Sequence, residues 1–343
     1  KLIALGVALS AFACVGVDDD DPATSEDTSA LSTQLWSNPA DVGNPDQRAF
    51  YGAAVATLGN VTYMVHSGAT SQYDLWWTKL TSSGWTTNIQ IPNQKSNARV
   101  TLAAYNNELY MFHGGSDDSS TDVWMSKLDP ATQTWSTNIK LSYSTAPRCV
   151  PAIVAYNGLL YIVGVTPHSN QLWMATMNAS ETFTVATSLG GQYSSSPVSL
   201  AVFQNRIYMA HRAGTTTSVV YNSFDGAWGA DYTIYGGNGQ PIQAYEPSIA
   251  AYNGYLHLVH VAPYSIPNYN LASYVMWTTF DGTSWDPEVS INRMASSIDP
   301  RLTLGSSGLV MVTTFDEGVP SGSGYVRDLK SESYWVPPII IRR

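Results

Sequence analysis

Apolar residues in this chain come in short runs bounded by turn-forming pairs, and one such pattern recurs. The runs Tyr63-Met64-Val65-His66, Tyr110-Met111-Phe112-His113, Tyr161-Ile162-Val163-Gly164, Tyr208-Met209-Ala210-His211 and His257-Leu258-Val259-His260 share one register. Tight turns precede them at Asn106-Asn107, Asn157-Gly158, Gln204-Asn205 and Asn253-Gly254, with degenerate copies at Gly59-Asn60 and Gly305 to Gly308. Asn and Gly tolerate the positive φ of a two-residue hairpin turn, so each pair predicts two antiparallel strands. A polar loop follows, then a third strand: Leu75-Trp76-Trp77, Val123-Trp124-Met125, Leu172-Trp173-Met174, Val219-Val220-Tyr221, Val275-Met276-Trp277 and Tyr325-Val326-Arg327. Adjacent strand residues face opposite ways, so Trp76 and Trp77 cannot share a face. A second turn, clearest at Asp225-Gly226 and Asp281-Gly282, leads to a period-marking aromatic residue. Those residues are Trp36, Trp85, Trp135, Phe183, Trp228, Trp285 and Trp335, spaced by 45 to 57 positions.

Four short antiparallel strands per repeat of about 50 residues describe one blade of a β-propeller. The expected fold is therefore all-β. Six blades are expected, with seven as the alternative, because Trp36 is a surplus strand marker. The expected organisation is a targeting segment at 1–14, an acidic Ser/Thr linker at 15–31 and one propeller at 32–343.

The repeat resembles those of secreted bacterial β-propellers, often found beside carbohydrate-active domains. The shared unit is Tyr-Asn-Gly-x-Leu-Tyr-x-Val-His, then Leu-Trp-Trp, then Phe-Asp-Gly-x-x-Trp, over about residues 45–315. Thr279 to Trp285 is similar to a degenerate sialidase Asp-box, which in sialidases is structural rather than catalytic. The resemblance implies the fold more strongly than any activity, since propellers host many functions.

The start of the chain reads as a leader. Leu2 to Ala13 is apolar and too short to span a bilayer. Ala11-Phe12-Ala13 fits a secretory cleavage site; the same stretch resembles a bacterial lipobox with Cys14 as the lipidated residue. Either reading places the protein outside the cell or on its outer surface, touching membrane only through a lipid anchor. The net charge is −10, of which residues 32–343 carry −5. No basic run exists, so nucleic-acid binding is not expected. Cys14 and Cys149 are the two cysteines, too few for a disulfide framework.

Antiparallel pairing brings the start of each first strand and the end of each second strand to one face. This rim collects His66, His113, His211 and His260, the arginines Arg48, Arg99, Arg148 and Arg301, and the acids Asp46, Glu246 and Asp299. A histidine repeated in register is also what a structural hydrogen bond between blades would leave. The histidines come from different repeats without a Cys/His cluster, so no metal or other cofactor is expected. Arg99, Arg148 and Arg301 resemble the three arginines with which sialidases clamp a carboxylate, a task suited to the guanidinium fork. No motif fixes a catalytic residue. The loop 261–273, with Tyr264 and Tyr269, is the longest on this rim. The expected function is binding of a glycan or another extracellular ligand. The alternatives are a propeller glycoside hydrolase of sialidase type and a protein–protein scaffold. Equivalent pockets between blades would favour glycan binding, and convergent acids in the channel the hydrolase.

Overall fold

The computed structural model describes residues 40–41, 48–68, 73–116, 120–146, 149–261, 273–296, 298–306, 308–315, 320–321, 324–325 and 327–334. Every regular element among them is a β-strand and every pairing between strands is antiparallel, as the repeat predicts. The architecture is a β-propeller.

The hairpin turns form for the expected reason. Asn106 and Asn107 have φ of 49° and 60°, Asn157 and Gly158 47° and 75°, and Asn253 and Gly254 49° and 81°. Both central residues are left-handed, the twist that matches a hairpin's flanking strands. Five-residue inner strands run into four of these turns: Thr101–Tyr105, Ala152–Tyr156, Ser199–Phe203 and Ser248–Tyr252.

Hydrogen bonding gives five blade sheets, one fewer than the six expected from the repeats. The second to fifth blades span residues 101–144, 152–193, 199–233 and 248–296. The first sheet has nine strands, because Arg327–Tyr334 pairs on one side with Leu309–Phe315 and on the other with Arg48–Leu58. It thereby unites what the sequence separates into the first and last repeats, and it carries two inner strands, Arg48–Leu58 and Ile298–Leu304. The inner strands contact one another in an unbroken cycle around the axis. Residues 40–41 pair with 330–331 at this seam. Trp36 and Trp335 lie outside the described residues.

The axis is crowded, and the inner strands answer with small side chains: Ala54, Ala56, Ala103, Ala152, Ala201 and Ala250 are all buried. The larger apolar groups fill wedges between neighbouring sheets. Phe112 and Met125 meet Leu160, Ile162 and Trp173, and Phe203 and Tyr208 meet Ile249, Leu256 and Phe280. Inner-strand tyrosines also reach across: Tyr105 donates to Gly158 O at 2.8 Å and Tyr156 to Asn205 O at 2.7 Å. The period-marking Trp135 and Trp285 pack against these wedges but are half-buried rather than sealed.

Candidate functional site

The four repeated histidines lie at or near the ends of the second strands, as expected, yet their rings are buried. In each case Nε2 meets a polar side chain three residues after the period-marking tryptophan of the same repeat. His66 pairs with Asn88 at 2.9 Å, His113 with Asn138 at 2.9 Å, His211 with Asp231 at 3.2 Å and His260 with Glu288 at 2.9 Å. Nδ1 of His66, His113 and His211 lies at 2.7 to 3.2 Å from the carbonyl of the next residue. Burial pushes His66 and His113 below the ordinary histidine range, so both are neutral near pH 7. The bonds lie within a blade rather than between blades. These histidines tie the third-to-fourth-strand turn to the second strand, and His113 also lines a pocket between the first and second blades.

The arginines of this rim behave differently. Arg99 at the second blade and Arg301 at the seam sheet converge on one carboxylate, that of Glu246 before the fifth blade. Arg99 Nη1 lies 3.0 Å and Arg301 Nη2 2.7 Å from Glu246 Oε2. Burial works to raise the Glu246 carboxyl, but the charges of Arg99 and Arg301 outweigh it and hold the group below the usual carboxylate range. Two of the three arginines expected to clamp a ligand carboxylate, Arg99 and Arg301, therefore hold one supplied by the chain itself. The channel beneath, lined by Arg99, Arg301 and inner-strand residues, is constricted to about 90 Å³ and widens to about 480 Å³ toward the hairpin turns. Arg148, Tyr264, Tyr269, Asp46 and Cys14 lie outside the described residues, as do the side chains of Arg48 and Asp299. Cys149 is buried, and burial pushes its thiol up to about 12, which leaves it unreactive.

The open pockets sit between blades, on the face that carries the histidine ends. One, of about 690 Å³, lies between the first and second blades. Its walls include Asn93 and Lys95 from the outer strand of the first blade, and Asp122, Trp124 and Asn138 from the second. Trp124 is half-buried. Lys140 Nζ stands 5.9 Å from its ring centre and 2.8 Å from Asp122 Oδ2. A second pocket, of about 510 Å³, occupies the same position between the second and third blades. Ser142, Tyr143 and Ser144 face Thr166, Pro167, Trp173 and Phe183 there. Trp124 and Trp173 are register equivalents: each pairs with the second-strand residue at the repeated-histidine position, His113 or Gly164.

Of the polar loops expected on this rim, 114–122 thus contributes to the first pocket and 166–171 to the second. Sequence reasoning missed Asn93, Lys95 and the Asn138 position. The constant offset from the period tryptophan was a usable signal for Asn88, Asn138, Asp231 and Glu288. Among the described residues no group of histidine, cysteine and carboxylate side chains has the arrangement of a metal site.

No protein-family model and no curated protein sequence matches this chain. Solved structures do. The structure of YjhT aligns at 11% identity over 84% of this chain and 96% of its own, with a TM-score of 0.57. Trypanosoma rangeli sialidase in complex with sialic acid aligns at 10% identity over 83% of this chain, with a TM-score of 0.57. This chain spans about half (54%) of the sialidase's length. A triple arginine-to-alanine variant of AofleA from Arthrobotrys oligospora aligns at 10% identity over 87% of this chain and 93% of its own, with a TM-score of 0.59. At these identities the likeness is one of fold, and it places the chain among sialidase-like β-propellers in architecture.

Proposed function

We propose that this protein is an extracellular propeller that binds carbohydrate in the pockets between its blades. The observation that carries the reading is the repetition: two pockets at consecutive junctions, each with a tryptophan from the same register of the third strand. At the first junction the half-buried Trp124 indole can cover the apolar face of a sugar while neighbouring amides, hydroxyls and charged groups bind its hydroxyls. The first junction offers Asn93, Lys95, Asp122 and Asn138 around Trp124 for that purpose. The glycosidase alternative is less well supported. Such enzymes use two carboxyl groups across the scissile bond, and Glu246 at the channel mouth is held in ion pairs with two arginines. The leader-like start of the chain supports the extracellular location.

The test is a glycan-array screen of the full chain, repeated with Trp124→Ala. Retention of specific glycans by the wild type and their weakening in the variant is the expected result. A wild-type protein that retains no glycan at any concentration tried would sink the reading.

A further inference from the structure

The two junction pockets occupy equivalent places but differ in chemistry, and the difference traces to four positions. At the first junction Gln94 crosses between blades, its Nε2 donating to Ser136 O at 2.8 Å and its Oε1 accepting from Ser126 at 2.9 Å. The junction after the third blade repeats this with Gln192 donating to Gly229 O at 2.8 Å. At the second junction Tyr143 takes the place of the glutamine, and its hydroxyl donates to Thr184 O at 2.5 Å. The second position is Gly164, where the neighbouring blades have histidine. A Cβ there would fall 2.3 Å from Cζ2 of Trp173, so this indole fills the space that an imidazole fills elsewhere. Trp173 is consequently buried at 6% exposure and lies 5.2 Å from the Tyr143 ring, tilted by 34°. The third position is Ala186, which replaces the polar partner of the missing histidine. Phe183, standing where the other blades have tryptophan, closes the cluster edge-on at 5.9 Å from Tyr143.

The result is a pocket whose lining carries no group charged at neutral pH. Its polar lining consists mainly of the hydroxyls of Ser142, Ser144, Thr166 and Ser188, and its apolar wall is Pro167, Phe183 and Val185 beside Trp173. The first junction instead holds Lys95 and Asp122. We infer that the second junction is selective for a neutral sugar bearing an apolar substituent, of which the acetamido group is the simplest common case. The substituent's methyl lies against Val185 and Phe183, and the serine hydroxyls serve the ring. This inference rests on the carbohydrate reading above.

The experiment is saturation-transfer NMR with the methyl β-glycosides of glucose and N-acetylglucosamine as probes. The proteins are the wild type, Val185→Asp and, as a control, Tyr232→Ala on the fourth blade. Val185 is 86% exposed, so its replacement leaves the fold intact. The expected result is strong transfer to the acetamido methyl and a preference of about four-fold for the acetamido sugar, the worth of one buried methyl group. Both should be lost in Val185→Asp and kept in Tyr232→Ala. Equal binding of the two sugars, or methyl transfer unchanged in Val185→Asp, would overturn the selectivity and leave the carbohydrate reading standing. Binding of neither sugar would overturn both.

Discussion

The channel mouth and the blade junctions are both polar, yet they treat their polar groups in opposite ways. At the mouth, Arg99, Glu246 and Arg301 come from three different sheets and satisfy one another. At the first junction the ion pairs are peripheral. Lys95 with Asp74 and Lys140 with Asp122 stand partly in solvent around a half-buried indole. A buried ion pair costs desolvation whenever one partner leaves, so the mouth is built to stay closed. An exposed pair loosens at little cost, so the junction can exchange its internal contacts for those of a ligand. The contrast separates residues that hold the ring from residues that are open to a partner.

The largest break in that contrast is Glu246→Ala. It leaves the almost buried Arg99 guanidinium without its carboxylate, and should lower stability by about 3–5 kcal/mol in urea unfolding, with the junction pockets unaffected. A loss below about 1 kcal/mol would show that the mouth, too, is only loosely held.

A second experiment probes the interior by pH. His257 stacks on Trp277 at 5.9 Å and accepts from its Nε1 at 3.1 Å, and burial holds its pKa down at about 4 against 6.5 in a free histidine. The folded value lies below the unfolded one. Its contribution is therefore complete above pH 6.5 and is lost as the pH falls toward 4. The loss amounts to about 3 kcal/mol at the acid end. His66 and His113 act with the same sign. Melting temperatures from pH 7 to 4 should fall less steeply in His257→Gln than in the wild type; identical slopes would contradict the assignment.

At the junction, Trp124→Ala should weaken a bound glycan by about 1–3 kcal/mol and change the melting temperature little, as titration calorimetry and thermal unfolding would show together. The smallest effect is expected for Lys140→Ala. Its pair with Asp122 is half exposed, so stability should change by less than about 1 kcal/mol, and by less still in high salt.

The blades were legible in the sequence because their signals are local. A type I′ turn needs two adjacent residues, and the alternation that buries Trp77 while leaving Trp76 half-exposed needs only a strand. The histidine register was legible too, though its meaning was not. A periodic polar residue looks the same whether it lines a rim or braces a turn, and the deciding partner stands 20 to 28 residues away. The contact of Arg99 with Glu246 has no local trace, since it depends on ring geometry that brings distant blades together. The junction pockets were hidden for the same reason: each wall belongs to a different repeat, and neither repeat is unusual by itself. The seam also escaped, because a strand with partners on both sides reads in sequence as an ordinary edge.

That seam sets the order in which the molecule can be made. Asp328 pairs with Arg48, 280 residues earlier, whereas the other blades zip up from neighbouring hairpins. Contacts of such long range form after local ones, because the chain must first lose the freedom of the whole loop between them. Until then the assembled blades form an open crescent with two bare strand edges. Among the described residues, the closing contact between Arg48–Leu58 and Arg327–Tyr334 holds two registered pairs, Arg48 with Asp328 and Ala49 with Arg327. The ring is therefore expected to breathe at this clasp, where amide hydrogens should exchange first and an extraneous strand would find its way in.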